Sequence, residues 1–161
     1  MQSNDVNAGP VNGKEAAYFG VPWEDASGYA RAIKVGDTIY VSSQLSHDEK
    51  GNLIAPASLD ESGKPAEFSM MEQQMRATYA NAVKLLARFG ERWTTSPRIR
   101  SMSSMWIGVC RRRQGAQGSL RHRTPSCAGN LIGVTRLAFF PEQLIGITFK
   151  AVPSGAEAKP R

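Results

Sequence analysis

The residues that could do chemistry fall into three groups. Ser42 and Ser43 stand at the end of the run Thr38-Ile39-Tyr40-Val41-Ser42 and are followed by Gln44. Small hydroxyl side chains at a strand end leave room for a ligand and can hydrogen-bond it. Cys110, His122 and Cys127 are metal-capable types, but Arg-rich sequence separates them and no pair has zinc-finger spacing, so no metal site is expected. Two cysteines are also too few for the disulfide framework of a short secreted domain, and free thiols in a reducing compartment are expected instead. The remaining group is Arg111-Arg112-Arg113, inside a stretch, 92–124, that holds eight Arg and no Lys, Asp or Glu. The net charge of +6 belongs to that stretch, since the rest of the chain is slightly acidic. Such a run suits a phosphate backbone. It lacks the interleaved aromatics on which single-strand bases stack, which makes nucleic acid the alternative partner and not the leading one.

The elements that must position the serines are signalled most strongly over 29–56. Val35-Gly36-Asp37 and Asp48-Glu49-Lys50-Gly51-Asn52 are turn sequences on either side of the β-branched run, because Gly, Asn and Asp enter positive φ at little cost. Three short antiparallel strands are predicted there. Further on, Ser69 and Glu72 have the spacing of a capping box. Phe68, Met71, Met75, Thr78 or Tyr79, Ala82, Leu86 and Phe89 then recur at three-or-four spacing up to a terminating Gly90. This predicts an amphipathic helix whose Met-rich stripe packs on a sheet. Residues 130–140 are read as a strand, Pro141-Glu142 as a turn and 144–152 as a further strand. In the last, Ile145, Ile147, Phe149 and Ala151 share one face, and Gly146, Thr148 and Lys150 the other, so one face is buried and one wetter.

Residues 1–25, interrupted by Gly9-Pro10 and Asn12-Gly13, read as a flexible arm that docks through Tyr18, Phe19 and Trp23, or as an ordered extension without a function of its own, which is the favoured alternative. The segment 60–67 is a polar loop and 153–161 a tail. At 161 residues and 41% hydrophobic content the chain suits a single domain, placed at 26–152. No apolar run approaches the roughly 20 residues that span a bilayer, and the first residues lack a signal-peptide core. A soluble, cytoplasmic protein without a membrane partner is expected.

The stretch 92–124 has no sustained periodicity of either kind, and unstructured loops longer than about 15 residues are uncommon in compact domains. A solvated insertion, an Arg-rich nucleic-acid arm and a reading of the right DNA in the wrong frame compete to explain it. The frame reading is favoured. GC-rich codons can be chosen so that 92–106 becomes ALDDVAEDTFYVVDV and 107–124 becomes SAFAVAGKVRKEAYGTGR, which supply a strand and an amphipathic helix.

The order Gly28-Tyr29, strand, Gly36-Asp37, strand, Ser42-Ser43-Gln44-Leu45 and then a Gly51-Asn52 turn resembles the N-terminal β-unit of the RidA/YjgF family of enamine/imine deaminases, also called endoribonuclease L-PSP. The resemblance extends over 69–90 and 127–152. It implies an α+β, chorismate-mutase-like domain of order β-β-β-α-β-α-β-β, with a mixed sheet and two helices on one face. It also implies a homotrimer with pockets between subunits and no cofactor. The family reaction is hydrolysis of reactive enamines and imines to a carbonyl and ammonia. In it an Arg on the penultimate strand holds a substrate carboxylate, and a Glu on the last strand positions water. The family's Val-x-Arg-Leu run matches Val134-Thr135-Arg136-Leu137, which puts Gly129 at the Arg position and Thr148 at the Glu position. No catalytic residue is therefore assigned. Tyr29, Ser42, Ser43, Gly129, Asn130, Leu131 and Thr148 are the residues the resemblance places around a small carboxylate or imine-like ligand.

Overall fold

The computed structural model describes residues 8–91, 98–103, 128–134, 137 and 139–152. Strands β1 (Ala8–Val11) and β2 (Lys14–Ala17) form a hairpin over Asn12-Gly13. Both turn residues have positive φ, 53° and 72°, as the tight two-residue hairpin turn requires. A short helix, α1 (Pro22–Ser27), follows and ends at left-handed Gly28. Strands β3 (Ala32–Val35) and β4 (Thr38–Gln44) then pair across Gly36-Asp37. The long helix α2 (Met71–Ala87) precedes β5 (Arg98–Ser103), β6 (Ala128–Gly133) and β7 (Ile145–Ala151).

The strands make one sheet in the order β1-β2-β3-β4-β7-β5-β6, with β5 and β6 parallel and every other neighbouring pair antiparallel. The fold is α+β with a mixed sheet, as expected. A parallel pair needs a crossover between its strands, and its residues, 104–127, where the second long helix is expected, lie outside those described. So do 92–97 of the anomalous stretch, whereas its residues 98–103 form a strand beside β7. Among the described residues no helix is long and apolar enough to cross a membrane.

The core lies between α2 and one face of the sheet. Met71, Met75, Tyr79, Ala82, Leu85, Leu86 and Phe89 pack with Ile39, Val41, Ile145, Ile147 and Phe149, all buried. The helix stripe and the alternation of β7 are thus as predicted, with Leu85 added to the stripe. Gly90, at φ 73°, ends the helical segment: Glu91 N–H donates to the Leu86 carbonyl and Gly90 N–H to the Ala87 carbonyl, the pairing that satisfies orphan carbonyls at a helix end.

Four expectations are corrected. Residues 8–25 are no loose arm: they form β1, β2 and most of α1, and Ala17, Val21 and Glu24 are buried, because pairing with β3 gives the segment a ladder and a core face. The third strand after Asn52 does not form, and only the single bridge His47–Leu53 remains. Buried side chains satisfy that loop instead. Asn81 Nδ2 donates to the carbonyls of Leu45 and His47 (2.9 and 3.0 Å), and Gln74 Nε2 to those of Ala55 and Glu142 (both 2.8 Å). The capping box is absent, since α2 has no side-chain cap and Glu72 pairs with Arg76 one turn on. The strand expected over 130–140 is β6 alone, starting earlier and ending at Gly133.

Candidate functional site

Strand β4 alternates regularly as far as Val41, with Ile39 and Val41 buried toward α2 and Tyr40 exposed on the opposite face. The alternation then breaks. Val41 pairs with Phe149 and Gln44 with Ile147, so three steps along β4 span two along β7. The extra residue is a β-bulge at Ser42-Ser43, a device that bends a strand and re-aims its side chains. It sets both serines opposite Thr148 and returns Gln44 to the buried face.

Backbone and side chains brace the bulge. The Ser42 N–H and hydroxyl both donate to the Arg31 carbonyl, at 3.0 and 2.9 Å. Arg31 Nη1 donates to the Ser43 carbonyl at 3.0 Å, and its Nε donates to Glu24 Oε1 at 2.8 Å. The Glu24 carboxylate also accepts from the N–H groups of Phe19 and Gly20. Arg31 is fully buried, with its guanidinium carbon 5.5, 5.6 and 6.0 Å from the ring centres of Tyr29, Trp23 and Phe19. Helix α1 and the turn before it therefore hold the strand end in place through one buried ion pair. Sequence reasoning missed Glu24 and Arg31. Their seven-residue separation is no local motif, and a charged residue beside a strand ordinarily signals a solvated edge.

Tyr29 is half-buried against Arg31. Burial pushes its phenol up, against the pull of the Arg31 cation, so the side chain offers a neutral hydroxyl at neutral pH. Next to the bulge, a Cβ on Gly146 would come within 2.7 Å of Ser43 Oγ. Only a bare glycine lets the bulged serine lie over β7 as it does. The Thr148 hydroxyl donates to the Val41 carbonyl at 2.8 Å and is thus committed to the backbone.

Strand register relates the remaining expected residues. Thr148 pairs with Arg100 of β5, and Arg100 with Asn130 of β6, so Thr148 and Asn130 stand in one row across the sheet. Gly129 stands one row away, aligned through Ile99 with the core residue Phe149, and Leu131 aligns through Ser101 with Ile147. Ser42, Ser43 and Thr148 are brought together, Asn130 shares their row, and Gly129 and Leu131 stand in the two rows on either side of it. Among the described residues no three His, Cys, Asp or Glu side chains gather as metal ligands.

No protein-family model matches the sequence, and neither does any curated protein. Solved structures do match. The protein YjgH superposes with a TM-score of 0.67 at 21% identity, over 88% of this chain and 98% of its own. A member of the YjgF/YER057c/UK114 family from Mycobacterium tuberculosis gives 0.60 at 20% identity, over 86% and 98%. The chain has the YjgF fold. Another protein of this shape, TdcF of E. coli, solved with bound serine, gives 0.62 at 15% identity over 78% and 88%. The YjgF fold is the α+β architecture that the family resemblance implied.

Proposed function

We propose that this chain is a RidA/YjgF-type cytoplasmic protein that holds a small carboxylate or imine-like ligand in a pocket between subunits of a homotrimer. We also propose that it retains little of the family's enamine and imine hydrolysis. The observation that carries the reading is the Ser42-Ser43 bulge beside Gly146 and Thr148, which presents small polar side chains on the sheet face that α2 leaves uncovered. On that same face Ile33, Val35 and Tyr40 are 36%, 41% and 45% exposed. A closed symmetric assembly would cover such an apolar strip.

Low activity follows from chemistry. Thr148 stands at the position of the water-positioning Glu, and a hydroxyl that donates to a carbonyl is no base. Gly129 offers no guanidinium to a substrate carboxylate. Losing a bidentate charge-assisted contact costs on the order of 3 kcal/mol, roughly a hundredfold in kcat/KM. Losing the carboxylate costs a further factor on the order of a hundred to ten thousand. Ammonia release from 2-iminopropionate, read by a coupled assay, is expected to stay at the uncatalysed rate while light scattering reports a trimer. Robust turnover would overturn the activity reading, and a well-folded monomer at micromolar concentration the assembly reading.

A further inference from the structure

On the helix side of the sheet, where the 48–52 loop turns back over the end of α2, a cleft of about 260 Å³ opens beside Phe19 and His47. Its walls carry opposite charges. Lys84 and Arg88, one turn apart, line the helix wall, and Asp48 and Glu49 line the loop wall. The cations are only loosely engaged. Lys84 Nζ lies 3.5 Å from Glu49 Oε1, with side chains 59% and 92% exposed, a pairing that solvent screens heavily. Arg88 lies over the Phe19 ring at 5.8 Å, and no carboxylate of the described residues is within ion-pair distance of it. Asp48, in contrast, is fixed, since its carboxylate accepts from the N–H groups of Lys50 and Asn52 and from Asn52 Nδ2.

His47, 3% exposed, belongs to the same cleft. Its Nδ1 lies 2.7 Å from the Asp48 carbonyl oxygen, a contact that requires an N–H on that nitrogen, so Nε2 is left as an acceptor. Nε2 is buried and has no partner, and an unmatched buried acceptor is unfavourable. Burial lowers the pKa of the ring, and the nearby Arg31 cation lowers it further.

We propose that this cleft binds a zwitterionic α-amino acid, its carboxylate held by Lys84 and Arg88 and its ammonium by Glu49. A simple anion would meet the two carboxylates of the loop wall, and a simple cation the two cations of the helix wall. A ligand that carries both charged groups on one carbon matches both walls at once. The Phe19 ring, which also lines the cleft, favours an apolar side chain. The site is separate from the sheet-face pocket, because Ser42 and Thr148 lie across the sheet from α2.

Titration of the 15N-labelled full chain with L-valine tests it, alongside L-valine methyl ester, which lacks the carboxylate, and 2-hydroxy-3-methylbutyrate, which lacks the ammonium. The expected result is saturable millimolar binding of valine, with shifts confined to residues 47–52 and 81–88. Both analogues should bind at least about tenfold more weakly, the equivalent of one lost charged contact. The exposed double variant Lys84→Gln, Arg88→Gln should lose saturation with its spectrum otherwise intact, and Glu49→Gln should weaken valine more than the hydroxy acid. Equal affinity for the hydroxy acid, shifts centred on Ser42 and Thr148, or no saturable binding of valine would each overturn the proposal.

Discussion

Replacing Glu24 by Gln keeps the shape of the side chain and removes its charge, which leaves the Arg31 guanidinium buried without a counterion. The wild-type pair is held at 2.8 Å with side chains 0% and 2% exposed, so water cannot take over the lost role. Removing one partner of a buried pair costs about 3–5 kcal/mol. For a chain of this length that corresponds to a Tm lower by roughly 6–20 °C. A Gln oxygen can still accept from the Phe19 and Gly20 N–H groups, so the loss is mainly the uncompensated cation and belongs near the lower end of that range. Urea unfolding followed by circular dichroism measures it directly. The double variant Glu24→Gln, Arg31→Met removes the stranded charge and should recover at least half of the loss, because an apolar side chain of similar volume is often neutral in place of a buried ion. A Glu24→Gln variant within about 1 kcal/mol of wild type, or strictly additive effects in the double variant, would refute the view that this pair holds the Ser42-Ser43 strand end.

Gly146→Ala places a methyl against Ser43 Oγ and should destabilise by about 1–2 kcal/mol. Ser43→Ala, which removes that oxygen, should relieve most of it in a double-mutant cycle. Leu85→Ala, at a fully buried helix position, should cost about 2–5 kcal/mol in the same unfolding assay. His47 has a pKa lowered by burial, so the unfolded chain binds its proton more tightly than the folded one. Its contribution is fully present above the unfolded value of about 6.5 and is lost as pH falls toward the lowered folded value. The slope of stability between neutral and mildly acid pH should therefore flatten in His47→Phe. Sequencing the source DNA over 92–124 should reveal a shifted frame, and a clean in-frame read of all eight Arg codons would exclude one.

Where a property is local, the sequence carried it. Gly36-Asp37 turns because glycine tolerates φ of 55° there, and the β-branched run before Ser42 is a strand for the same reason that such residues favour strands generally. The three-and-four spacing from Met71 to Phe89 produced the helix and its buried face, and the strict alternation after Leu144 produced β7. Properties that depend on a distant partner were decided by the tertiary structure. Asn12-Gly13 is a hairpin turn only because β3 offers β2 an edge to pair with, and without that edge the same residues read as chain breakers. The expected third strand gave way to a loop because Gln74 and Asn81, on a helix formed far along the chain, bind its backbone groups. The bulge at Ser42-Ser43 is a mismatch of counts between β4 and β7, two segments about a hundred residues apart, and no window of sequence contains both. For the same reason, Glu24 and Arg31 became a buried pair, and Lys84, Arg88 and Glu49 came to face one another across a cleft, only when α1, the 48–52 loop and α2 had packed together.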